Sequence, residues 1–210
     1  MDPTFKIRIA EQGWISDSPE AARTDLCSHG KIDLTIGGQR IIRADDPEDK
    51  DPRPFGISES ALALLRTLES DNSEANPVAE RLICHGCGLI LMTGCPIGVN
   101  WSVKHKKDHV LINDVMHYLN TSEEYAIRYP DLNTYLPFEY YRKEIVLFAK
   151  MAKDFFDRGP KKVFTPALEM GDLDDKGSKK IFLGMGREFD ERQYKDFWKE
   201  YNQILKRQNY

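Results

Sequence analysis

Apolar and basic residues alternate in Phe5-Lys-Ile-Arg-Ile, which predicts a first strand with one buried face. A longer alternation runs through Ile32-Asp-Leu-Thr-Ile, with Ile32, Leu34 and Ile36 on one side. Gly37-Gly38 then supplies the positive φ angles of a two-residue turn, so residues 32 to 42 read as a β-hairpin. Between these two stretches, Ser18-Pro-Glu-Ala-Ala-Arg opens a short helix, with serine as cap and proline at the first helical position.

The period then changes. Ser58 to Glu69 repeats apolar residues at helical spacing, with Ser58 as the expected cap and Ala61, Leu62, Leu65 and Leu68 as the inward stripe. Residues 81 to 118 return to strands. Leu82–His85 is expected to pair with Leu89–Thr93 across a Gly-Cys-Gly turn, and Val99, Trp101 and Val103 alternate with polar residues. Lys106-Lys-Asp marks the next turn, before a strand from Val110 to Met116. Residues 118 to 135 are irregular, rich in tyrosine and interrupted by Pro130.

Two long amphipathic helices are predicted near the C-terminus. Residues 137 to 158 present Phe138, Tyr141, Ile145, Phe148, Ala149, Ala152 and Phe155, with Gly159-Pro160 as the stop. Residues 190 to 207 present Tyr194, Phe197, Trp198, Tyr201, Ile204 and Leu205, and Asp190 with Gln193 has capping-box spacing. Strands and helices are segregated rather than strictly alternating. The expected fold is therefore α+β: a mainly antiparallel sheet packed on one face by the two long helices, with the shorter Ser58 helix nearby. Residues 1 to 210 read as a single domain with two peripheral loops, an exposed acidic one at 43–54 and a mobile charged one at 161–180.

Charge narrows the functional classes. Thirty-four acids against 30 bases leave a net charge of −4, too weak and of the wrong sign to hold nucleic acid as the main ligand. No apolar run reaches the ~20 residues of a membrane span, and no basic-then-apolar leader is visible at the N-terminus. Four cysteines are too few for a disulfide scaffold, so a reducing cytoplasmic setting is expected.

Those cysteines raise the main chemical question. Cys84 and Cys87 have the C-x-x-C spacing that suits a metal or a dithiol, and with Cys95 and His105 they form a possible Cys₃His zinc set. The same residues, set among Leu, Ile, Met and Gly, also suit a buried core. Structural zinc is therefore an alternative to no cofactor at all. A thioredoxin-like site would need a helix cap after Cys87, where Gly-Leu-Ile-Leu-Met stands instead. A Cys/His nucleophilic pair can be drawn from Cys27, Cys84 or Cys95 with any of five histidines, and spacing does not choose among them. His105, His109 and His117 read as surface or pairing residues. Asp172-Leu-Asp-Asp-Lys-Gly177 begins like a calcium loop but has Lys176 and Leu183 where oxygen ligands belong. Gly184-Met-Gly-Arg187 lacks the rest of a phosphate loop.

Asp45, Asp46, Glu48, Asp49 and Asp51 put five acids into seven residues, offset only by Lys50. Such a loop suits a basic protein surface and electrostatically steered encounter. Tyr125, Tyr129, Tyr135, Tyr140 and Tyr141 add the aromatic character of an interface, although some belong to the core. The expected function is a non-enzymatic protein-binding module, of the kind immunity proteins and antitoxins exemplify. The five acids of residues 45 to 51 are its candidate contacts.

Overall fold

The computed structural model describes residues 4–46, 54–86, 97–120, 122–164 and 187–208. They form an α+β fold around one nine-stranded sheet in which every pairing is antiparallel. The strands are β1 (Phe5–Gly13), β2 (His29–Ile36), β3 (Gln39–Ile42), β4 (Phe55–Gly56), β5 (Ile83–His85), β6 (Gly98–Lys106), β7 (His109–Tyr118), β8 (Ala126–Tyr129) and β9 (Thr134–Pro137). The helices are α1 (Pro19–Thr24), α2 (Ile57–Arg66), α3 (Phe138–Asp157) and α4 (Arg187–Arg207). None among the described residues is long and apolar enough to cross a membrane.

Alternation builds the first half of the sheet. Phe5, Ile7 and Ile9 pair with Ile36, Leu34 and Ile32, so the apolar side chains of β1 and β2 share a face. Gly37 and Gly38 turn the chain into β3 at φ +60° and +83°. The sheet curls enough for this hairpin to meet its far end. A side chain at Gly37 would come within 2.5 Å of Thr134 Oγ1, and the His117 ring of β7 faces the Ile41 carbonyl of β3.

α2 rests on β2, β4 and β5 on one side and on α3 and α4 on the other, so nearly all of it is buried. α4 is tied to this layer by the Arg66–Glu200 pair (2.6 and 2.7 Å) and by the Tyr201 hydroxyl, which donates to the Ala149 carbonyl at 2.7 Å. α1 is capped as its sequence predicts, with Ser18 Oγ accepting from the Ala21 amide at 3.0 Å.

Several expectations are corrected. Ser58 does not cap α2. The helix begins at Ile57 with Gly56 as cap, and the Ser58 hydroxyl is spent on β2 instead. β5 pairs with β4 on one edge and β6 on the other, and its expected hairpin partner, residues 89–93, lies outside the described residues. The irregular tyrosine-rich stretch contains β8 and β9, which pair with successive parts of β7. Phe156, not Phe155, is buried at the end of α3, because Trp14 and Trp198 close on its ring. α4 starts three residues before Asp190, so that aspartate is not its cap. Residues 161–164 belong to the folded body rather than to an exposed charged loop: Val163 donates its amide to the Arg23 carbonyl and Lys162 is buried.

Candidate functional site

The densest group of chemically capable side chains lies where α1 hands over to β2. Asp25 ends α1, and Cys27 and His29 follow at intervals of two. Cys27 is fully buried, His29 is 1% exposed and Asp25 5%. Cys27 Sγ lies 3.4 Å from His29 Nε2 and 3.7 Å from Asp25 Oδ1. His29 Nε2 lies 3.2 Å from Asp25 Oδ1 and 3.1 Å from Oδ2. Backbone amides fix the carboxylate: Ile15 donates to Oδ2 at 2.7 Å and Cys27 to Oδ1 at 3.3 Å.

Ser28, between the two ligand-type residues, points the other way and secures α2. Its amide donates to Ser58 Oγ at 3.1 Å, and its hydroxyl meets Ser58 Oγ at 2.9 Å and accepts from Gln12 Nε2 at 2.8 Å. Ser60 completes the join by accepting from the Cys84 amide at 2.9 Å. This stitching brings Glu59, on the first turn of α2, against Cys27 and His29. Glu59 Oε2 is shielded from solvent and has no hydrogen-bond partner among the described residues. Lys162 closes the other side. Its ammonium donates to the Ala22 carbonyl at 2.8 Å and sits 3.4 Å from the centre of the Trp14 ring.

Burial sets the protonation of this group. It pushes the Cys27 thiol well above its ordinary range, and the neighbouring Glu59 and Asp25 charges push the same way. Burial also lifts Glu59 to about 7, against the pull of His29. It draws Lys162 down to about 8, while the Asp25 and Cys27 charges hold it up. A cysteine nucleophile needs a thiolate and a path for substrate. Among the described residues Cys27 is sealed from solvent, and its burial favours the neutral thiol over the thiolate.

The sequence-predicted residues are distributed differently. Cys84 donates its thiol to the Arg81 carbonyl at 3.3 Å on β5. It pairs with Gly98 at one end of β6, whereas His105 is near the other end. At ~3.3 Å per residue these positions are separated by about 20 Å, so one ion does not reach both. His105 is bound by Asp71, with its ring Nδ1 2.8 Å from Oδ1. His109 stacks on Tyr135 with ring centres 4.6 Å apart. Cys87 and Cys95 lie outside the described residues, as do Glu48, Asp49 and Asp51.

Of the acidic loop, Asp45 and Asp46 are described. Asp45 is exposed and shared between Arg40 at 3.3 Å and Arg43 at 3.4 Å, and Arg40 also holds Asp33 at 3.1 Å. The Arg43 hydrogen bond holds the Asp45 carboxyl below its usual range. Among the tyrosines, Tyr141 is fully buried, whereas Tyr125 and Tyr135 are more than half exposed. Exposed Ile127 pairs with His117, whose ring faces Ile41 on β3. The strand from which the acidic loop departs therefore borders the strands that carry exposed apolar and aromatic residues. A separate open cleft of about 670 Å³ on β6 and β7 is lined by Arg81, Asn100, Asp114, Met116 and Arg128, with charges of both signs.

Asp25, Glu59 and Lys162 escaped sequence reasoning as site residues, and His29 entered it only as one of five interchangeable histidines. The spacing Asp-x-Cys-x-His is a signal in principle. Strict alternation, however, assigns Cys27 and His29 to the same outward face as Lys31 and Asp33, where they read as surface residues. Comparison with family models, curated proteins and solved structures returns no match.

Proposed function

We propose that the chain is a non-enzymatic protein-binding module that receives a partner with a basic surface, as immunity proteins and antitoxins receive the proteins they neutralise. One observation carries this reading. Asp45, in the acid-rich stretch, is exposed beside Arg40 and Arg43, and exposed Ile127 and Tyr135 lie on the two strands that pair with β7. Acids of one sign steer a cationic partner, and exposed tyrosines supply contact area at low conformational cost. The described cysteines, Cys27 and Cys84, are free thiols, which suits a cytoplasmic setting.

Asp45 is shared with two arginines, and Asp45, Asp46, Glu48, Asp49 and Asp51 together are the residues on which this reading relies. The test compares capture of partners from the native host by wild type and by a variant with these five changed to Asn or Gln. The variant is expected to keep the wild-type circular dichroism spectrum and to lose the captured protein. Equal capture by both would remove the acidic loop from the account.

A further inference from the structure

We infer that Asp25, Cys27 and His29 form a buried binding site for one divalent transition cation of the zinc class, a site separate from the partner surface. The geometry carries this. Tetrahedral zinc with ordinary bond lengths of about 2.0–2.3 Å requires ligand-to-ligand edges of about 3.6 Å for S–N and S–O and about 3.3 Å for N–O. The edges found are 3.4 Å, 3.7 Å and 3.1–3.2 Å.

Glu59, on α2, lies beside these three ligand atoms without joining their set. Its carboxyl lies close enough to Cys27 and His29 for their charges to interact, and its Oε2 is sealed from solvent without a hydrogen-bond partner. The charges also balance. A thiolate and one carboxylate carry two negative charges, which a divalent cation cancels. The amides of Ile15 and Cys27 hold the Asp25 carboxylate in place, the outer support expected of a metal ligand. Mixed sulfur, nitrogen and oxygen donors select zinc-like ions over calcium or magnesium. Three protein ligands leave one tetrahedral position over, and the ion would join the end of α1 to the start of β2.

The test uses the full chain, untagged, stripped with chelator and titrated with Co²⁺ alone. Thiolate coordination gives a near-ultraviolet sulfur-to-cobalt band, and tetrahedral geometry gives visible bands. The expected stoichiometry is one Co²⁺ per chain, with the spectrum bleached by added Zn²⁺. The variant with Cys84, Cys87 and Cys95 all changed to Ser retains Cys27 as its one cysteine and is expected to keep the thiolate band. Cys27→Ser should lose that band, and Asp25→Asn should weaken Co²⁺ binding at least tenfold with the thiolate band still present at saturation. No band in the wild type overturns the inference. So does a band that survives Cys27→Ser and vanishes in the triple variant.

Discussion

Lys162→Met probes the seal over the buried cluster. The Lys162 side chain is 7% exposed, and burial brings its amine from an ordinary 10.5 to about 8. A lowered amine contributes stability that is present above its unfolded value and is lost as pH falls through its folded value. The window is therefore pH 8 to 10.5. Below it, the ammonium is disfavoured by about 3 kcal/mol relative to a neutral amine in the same place. Methionine removes that penalty but also gives up a cation–π contact worth ~2 kcal/mol and a hydrogen bond worth ~1 kcal/mol. In chelator-treated protein at pH 7 the variant should thus lie within about 1 kcal/mol of wild type. Between pH 7 and pH 9.5 the folded lysine releases its proton while the unfolded one keeps it, so wild type should gain about 2 kcal/mol on the variant. Urea denaturation followed by circular dichroism at the two pH values measures the difference. A difference that does not change with pH would mean the amine is solvated, and residues 161–164 would then not cover the cluster.

Two further predictions follow from the core. The Thr67 hydroxyl donates to the Leu64 carbonyl at 2.6 Å, so at 2.9 Å it must accept from the buried Tyr141 hydroxyl. Tyr141→Phe should therefore cost about 1 kcal/mol, and Thr67→Val, which strands the tyrosine proton, about 2–3 kcal/mol. The double variant should resemble Tyr141→Phe alone, and strict additivity in urea denaturation would refute the donor order. At Gly30, a β-carbon would fall 1.9 Å from the Glu11 carbonyl oxygen, beside the irregular register of β1 and β2. Gly30→Ala should cost on the order of 3 kcal/mol, seen as a large drop in melting temperature; an unchanged melting temperature would contradict that contact.

What the sequence revealed, and what it hid, follows from the range of the interactions. β1 and the β2–β3 hairpin are legible because each buries one face, and two-residue alternation reports that directly. α3 and α4 are legible because their stripes repeat over five turns or more. β4 is only Phe55–Gly56, too short for any period, and its pairing with β5 joins residues about thirty positions apart. The cluster was hidden for a related reason. Asp25, Cys27 and His29 lie where β2 is covered on both faces, and the residues that cover them come from far along the chain. Glu59 arrives because Ser58 bonds Ser28, thirty positions away, and Lys162 because its chain segment runs beside α1. Neither approach leaves a local pattern. The acidic loop was readable as charge, but its internal pairing through Arg40 and Arg43 depends on the hairpin geometry that brings Asp33 and Asp45 to the same guanidinium.

The claim that an acidic surface receives a basic partner is tested most directly by association kinetics. The association rate of the captured partner would be measured between low and physiological ionic strength for wild type and for the variant neutralised at Asp45, Asp46, Glu48, Asp49 and Asp51. Wild type should associate at least tenfold faster at the low end, with the advantage shrinking as salt rises, and the variant should be slow and nearly salt-independent. Rates that are equal for both proteins and insensitive to salt would contradict the account.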